Sequence, residues 1–152
     1  SAIMHYLEQR FPALAGTEYR ITSPALPDYN CIAWAAGNAS HWWEPDDFGF
    51  YYWPDNVPRD YTLDAYTKAF NQLGFELCEN LDCERDWEKV VLYAKEDGFP
   101  THAARQLPDG AWTSKLGKGE DISHGNLDGL CGDAYGKPAV IMRRDRKPKS
   151  NP

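Results

Sequence analysis

Thr101-His102-Ala103-Ala104-Arg105-Gln106-Leu107-Pro108-Asp109-Gly110-Ala111-Trp112-Thr113-Ser114-Lys115-Leu116 reads as two strands joined by a tight turn. In Leu107-Pro108-Asp109-Gly110, proline at the second position presets φ for a type I turn and glycine suits the fourth. A hairpin here makes the second half of the chain antiparallel sheet. Upstream, residues 87–94 carry Val90-Val91-Leu92, an unbroken apolar run that predicts a strand buried on both faces. Residues 75–78 predict another strand, and the acidic stretch 79–88 between the two reads as a solvated connection. Downstream, residues 122–130 are expected to form a short helix and residues 139–143 a last core strand.

Helices precede the strands. In residues 62–73, Tyr66, Ala69, Phe70 and Leu73 form one apolar stripe, with Thr62 to cap it and Gly74 to stop it. Residues 3–11 carry a weaker helical pattern ended by Pro12, and residues 19–21 suit a short strand. Helices first and consecutive strands later predict an α+β fold. N-terminal helices would pack on an antiparallel sheet of about five strands. One domain is expected over 1–143, followed by a basic tail, 144–152, expected to be disordered.

With 152 residues, 42% of them hydrophobic and 26% charged, the chain can bury a core within one domain. A formal net charge of −7 argues against a nonspecific nucleic-acid binder, which needs basic surface to displace counterions. It argues equally against electrostatic docking on anionic membranes. No stretch approaches the ~20 apolar residues of a membrane span, so the expected setting is cytoplasmic, or that of a secreted effector. The four cysteines, Cys31, Cys78, Cys83 and Cys131, show no CxxC pair, and no metal site or other cofactor is expected. Cys78 and Cys83 are near enough in sequence to bridge, although free thiols fit a chain that needs no staple.

The chemistry centres on Tyr29-Asn30-Cys31-Ile32-Ala33-Trp34-Ala35. Pro24 and Pro27 bring the chain in extended, and either Asp28 or Asn30 can cap a helix that starts here. Cys31 then lies in the first turn, where the macrodipole and free N–H groups favour a thiolate, the form that attacks carbonyls. Its ordinary role would be that of a small buried hydrophobe. His102, at the start of the hairpin, supplies the kind of base such a thiol needs. The segment His41-Trp42-Trp43-Glu44-Pro45 through Phe48-Gly49-Phe50-Tyr51-Tyr52-Trp53-Pro54 fits neither helix nor regular strand. It reads as a cover folded over the domain that also walls a cleft, with Trp42, Trp43 and Trp53 as candidate substrate contacts.

A helix that opens with cysteine, followed by a sheet whose early strand starts with histidine, resembles the papain-like superfamily, with the compact NlpC/P60 peptidases closest in size. Asn30-Cys31-Ile32-Ala33-Trp34-Ala35 and the His102-Ala103 hairpin also resemble a small bacterial family with an Asn-Cys-x-x-Trp-Ala helix. The resemblance spans roughly residues 29–143. It implies a papain-like fold with Cys31 as nucleophile and His102 as base and later acid. It also implies an oxyanion hole containing the Cys31 N–H, to which Asn30 can add a donor. The residue that orients the histidine is open. Ser114 lies near the level of His102, and Asp121 and His124 lie just beyond that strand. A carboxylate fixes the tautomer best, which favours Asp121. Lys115 and His124 then remain as candidate contacts for substrate.

Two readings follow. One is a cysteine-dependent hydrolase or acyltransferase acting on a peptide, protein or other amide through a thioester intermediate. The other is a noncatalytic binding or immunity-type module that meets a protein partner through the aromatic loop 41–54 or the acidic surface. Reactivity of the Cys31 thiol separates them.

Overall fold

The computed structural model describes residues 1–146. Its backbone is an α+β arrangement built on one seven-stranded antiparallel sheet. In chain order come α1 (Ala2–Arg10), a 3-10 turn (Pro12–Gly16), β1 (Tyr19–Ser23), α2 (Cys31–Ala35) and α3 (Leu63–Asn71). Then follow β2 (Glu76–Leu77), β3 (Trp87–Ala94), β4 (Pro100–Gln106), β5 (Trp112–Lys115), β6 (Asp121–His124), a 3-10 turn (Asp128–Leu130) and β7 (Lys137–Asp145). The strands lie in the order β1-β6-β5-β4-β3-β7-β2.

The hairpin forms as its turn chemistry requires. Gly110 N–H donates to the Leu107 carbonyl at 2.9 Å, and Arg105 pairs with Thr113 across β4 and β5. β3 is central, and side chains alternate across a strand with period two. Val90 and Leu92 therefore pack on one face with Phe70 of α3, Ala35 of α2 and Trp53. Val91 and Tyr93 pack on the other with Leu7 and Phe11 of α1, Leu130 and Tyr135. The sheet is thus a middle layer, with the α2–α3 side and the α1 side each closing one core. Thr62 caps α3 as expected, its side chain accepting from the Ala65 N–H. Gly74 follows α3 at φ +93, the left-handed backbone that glycine adopts without a Cβ penalty.

Seven strands form where about five were expected. The helix expected over 122–130 is strand β6 followed by the 3-10 turn. Three of the four residues of Asp121-Ile122-Ser123-His124 are buried, and both edges of β6 find partners, in β5 and β1. Ladder hydrogen bonds and the complete burial of Ile122 outweigh the weak helical pattern.

The last strand outruns its expected end, reaching Asp145 because Trp87 pairs with Asp145. Arg144 and Asp145, expected to open the tail over 144–152, belong to β7, and positions 147–152 lie outside the described residues. The acidic stretch 79–88 is more than a solvated connection. Glu84 pairs with the fully buried Lys89 at 2.7 Å, and buried Glu88 is shared by Arg105 and Arg144. All four cysteines are free, so Cys78 and Cys83 do not bridge. No helix among the described residues is long and apolar enough to cross a membrane.

Candidate functional site

Asn30 organises the site. Its Oδ1 accepts from the Ala33 N–H, capping α2, and also from the Trp43 N–H, while its Nδ2 donates to the Trp43 carbonyl at 2.7 Å. One buried amide thereby starts the helix and pins the aromatic loop beside it. With these contacts Asn30 acts as a cap and clamp, in place of the oxyanion donor expected of it. The Trp34 indole N–H donates to Thr113 Oγ1 at 2.9 Å, fixing α2 on β5.

Between α2, the loop and the start of β4 lies an open cleft of about 480 Å³. Cys31, Trp42, Trp43, Glu44, Tyr61, Tyr66, Phe99, Thr101 and Tyr135 are among its walls. Trp42 and Trp43 thus stand where the sequence placed them. Trp53 does not: it is buried in the core, its indole N–H on the Pro58 carbonyl and its ring against Tyr66. Glu44, Tyr61, Phe99 and Thr101 carried no pattern in the sequence that marked them, because they reach the cleft from distant points of the α2–α3 connection, from the β3–β4 turn and from β4.

Cys31 is 8% exposed. Burial pushes its thiol up to about 11, although the backbone N–H groups of Ala103 and Ile32 and the charge of Lys115 pull the other way. A helix of five residues supplies too little field to offset that desolvation. The thiol is therefore protonated at neutral pH.

His102 is not the partner of that thiol. Ala103 faces Cys31 in the α2–α3 core, so its neighbour His102 points through the opposite face of β4. There its ring stacks on Tyr135 at 4.2 Å and meets the edge of Tyr93. His102 Nε2 and His124 Nε2 each lie 2.8 Å from Ser114 Oγ, and His124 Nδ1 lies 2.8 Å from the Asn126 carbonyl.

These contacts assign the protons. A carbonyl can only accept, so His124 carries its hydrogen on Nδ1 and its Nε2 accepts from the Ser114 hydroxyl. Ser114 Oγ then accepts from His102 Nε2–H, which leaves His102 Nδ1 a bare lone pair without a protein partner. Burial, with His124 and Arg10 nearby, holds His102 well below its usual value. Burial lowers His124 as well. Ser114 does orient His102, as its level on the strand suggested, but on the side away from the cysteine. His124 belongs to the same chain of contacts and does not line the cleft.

Asp121 and Lys115 are on the cysteine side, so Asp121 does not orient His102. Tyr29 donates its hydroxyl to Asp121 Oδ2 at 2.5 Å. Lys115, fully buried, donates to the Gly117 and Gly119 carbonyls and lies 5.1 Å from the Tyr29 ring centroid. Burial raises the Asp121 carboxyl and lowers the Lys115 ammonium, each opposed by the other's charge. Removing the Tyr29 hydroxyl (Tyr29→Phe) is expected to cost about 1–3 kcal/mol of stability, because a buried carboxyl loses its donor. Urea unfolding checks this, and an unchanged midpoint would show that water replaces the hydroxyl. Among the described residues, no group of three or more His, Cys, Asp or Glu side chains could hold a metal ion.

No curated protein and no solved structure matches the chain. A family model does match residues 20–143, which include most of β1, all of the cleft's central elements and most of β7. The chain belongs to the family described as a domain of unknown function, DUF7689.

Proposed function

We propose that this chain is a binding module that takes a peptide segment of a protein partner in the cleft beside α2. The observation that carries this reading is the aromatic loop. It walls the cleft with Trp42 and Trp43 and continues outward as Phe48 and Phe50, 81% and 80% exposed, with Tyr51 and Tyr52 beside them. Phe48 and Phe50 stack on each other at 5.5 Å, forming one contiguous apolar surface. Tyr51 and Tyr52 in turn contact Trp42 and Trp43 of the cleft wall, and exposed rings adjoining a cleft wall support recognition of a partner. The neutral thiol of Cys31 packs as part of the floor.

A second reading, a papain-like cysteine hydrolase, is favoured by one observation: Cys31 is among the residues lining the cleft, with backbone N–H groups of Ala103 and Ile32 beside its thiol. It requires a proton acceptor other than His102.

One experiment separates them. Random peptides displayed on phage are panned on the full chain and on the Cys31→Ala variant, and alkylation of Cys31 by iodoacetamide is followed across pH. Equal enrichment on both proteins is expected, lost on a Trp42→Ala/Phe99→Ala variant, with alkylation slower than for a free thiol of pKa ~8.5. Alkylation that is fast at neutral pH, or no enrichment at all, would overturn the binding reading.

A further inference from the structure

Glu44 stands in the cleft wall without a cation. Its Oε1 accepts from the Trp42 indole N–H at 3.1 Å, and its Oε2 accepts from the Tyr61 hydroxyl. None of the ion pairs among the described residues includes Glu44, whereas neighbouring Asp46 holds Arg59 at 3.2 Å. An ionised carboxylate offers about four lone-pair sites. Two are used here, and the remainder stay available to a donor entering from the cleft.

Both donors to Glu44 are aromatic side chains, so the carboxylate meets the polar N–H and O–H edges of two rings of the cleft wall. The Tyr61 ring lies parallel to Phe99, 9° apart in plane with centroids at 5.8 Å. Trp42, Trp43 and Tyr66 complete the aromatic wall. A carboxylate framed by rings is the environment that favours an organic cation, through charge and through the ring quadrupoles together. The charges acting on Tyr61 beside Glu44 have the same sign. Burial raises the Tyr61 hydroxyl first, then Glu44, and then the more distant Asp46 and Asp47, and the whole chain carries −7. Lys95 and Asp97 share the turn at the rim, and Arg10 lies in the wall with Tyr135. Neither cation is paired with Glu44.

We propose that the cleft recognises an arginine side chain of the bound peptide, its guanidinium on Glu44 and its plane against the Trp42 and Tyr61 rings. Arginine fits better than lysine because its planar fork matches a carboxylate and stacks on aromatic faces. This inference rests on the binding reading above and names the ligand class for the same cleft.

The test titrates the full chain with N-acetyl-arginine amide, N-acetyl-lysine amide and the neutral isostere N-acetyl-citrulline amide, following tryptophan fluorescence. Saturable binding of the arginine probe is expected, about tenfold tighter than the citrulline probe, as suits a charge-assisted hydrogen bond. Glu44→Gln should remove that difference. Glu79→Gln, the same charge change on an exposed residue of the acidic connection, should leave it intact. In Glu44→Gln the amide oxygen still accepts from the Trp42 indole N–H while the amide NH2 donates to the Tyr61 hydroxyl oxygen, and an unchanged thermal midpoint shows that the wall stands. Equal binding of arginine and citrulline probes, or a preference that survives Glu44→Gln, would overturn the proposal. So would tighter binding of the lysine probe. If the peptide panning succeeds while the arginine preference is missing, this inference falls and the binding reading stands. If both fail, both fall.

Discussion

Replacing Gly136 by alanine is expected to cost about 2–5 kcal/mol, the sum of a left-handed backbone penalty and an overpacking penalty. Gly136 has φ +74, and a Cβ there would lie 2.1 Å from the Ala94 carbonyl oxygen and 2.7 Å from its carbon. Both are backbone atoms at the end of β3, so no side chain can swing aside. Gly136 also exchanges two hydrogen bonds with Gly132, at 2.7 and 3.0 Å, closing the loop that carries Tyr135. The Tyr135 carbonyl accepts from the Thr101 hydroxyl, and its ring is the one stacked on His102. Pushing this loop outward disturbs the start of β7 and the buried histidine together. Gly74→Ala is the control: φ is +93 but nothing lies within 4 Å of the added Cβ. It should cost only the backbone term, about 1–2 kcal/mol. Urea unfolding of the two variants measures the difference, and equal losses would show that the β3 end yields freely.

Acidification is expected to destabilise the chain below the ordinary histidine range. His102 and His124 have folded values below their unfolded ones. The unfolded state therefore binds more protons as pH falls. The stabilising contribution is fully present above about pH 6.5, the unfolded value, and is lost as pH falls toward the folded values. While both native rings stay neutral, each contributes a slope of about 1.4 kcal/mol per pH unit. The physical cost is specific. A second proton on His102 would sit on Nδ1, which is fully buried and has no acceptor. A second proton on His124 would displace the Ser114 hydroxyl hydrogen that occupies its Nε2. Asp121 works in the opposite direction, since its raised carboxyl binds protons more readily when folded. The histidine part is isolated by comparing wild type with His102→Leu in denaturant at several pH values, where the variant should show a shallower slope. The imidazole NMR signals of His102 in the wild type provide a second readout. Movement of those signals centred on the unperturbed value of about 6.5 would refute the buried neutral state.

The sequence placed the antiparallel hairpin, the two-faced central strand and the capped helix α3, because each follows from short-range chemistry. Pro108 and Gly110 fix a turn, Val90-Val91-Leu92 suit a buried strand, and Thr62 and Gly74 bound an apolar stripe. It also located Asn30-Cys31 at a helix start. It misread β6, since four residues with one apolar side chain carry no strand signal until β5 and β1 lie on either side to pair with them. Both edge strands are marked in the sequence, over residues 19–21 and 75–78, and each is held by a single neighbour, β1 by β6 and β2 by β7.

What the tertiary structure decided was the company each side chain keeps. Cys31 and His102 are both where the chain order suggested, one opening α2 and the other on β4. Yet period-two alternation puts Ala103 toward the thiol and His102 through the sheet. The register that pairs Tyr93 with His102 and Leu92 with Ala103 determines that choice, and no local pattern encodes it. The same holds for Glu44, which became a cleft carboxylate only when Asn30 drew the aromatic loop against α2 and Tyr61 arrived from beyond it. Turn, cap and strand chemistry act over a few residues and are written in the chain. Which face a residue takes, and which charge it meets there, depends on long-range pairing and burial that only the folded sheet provides.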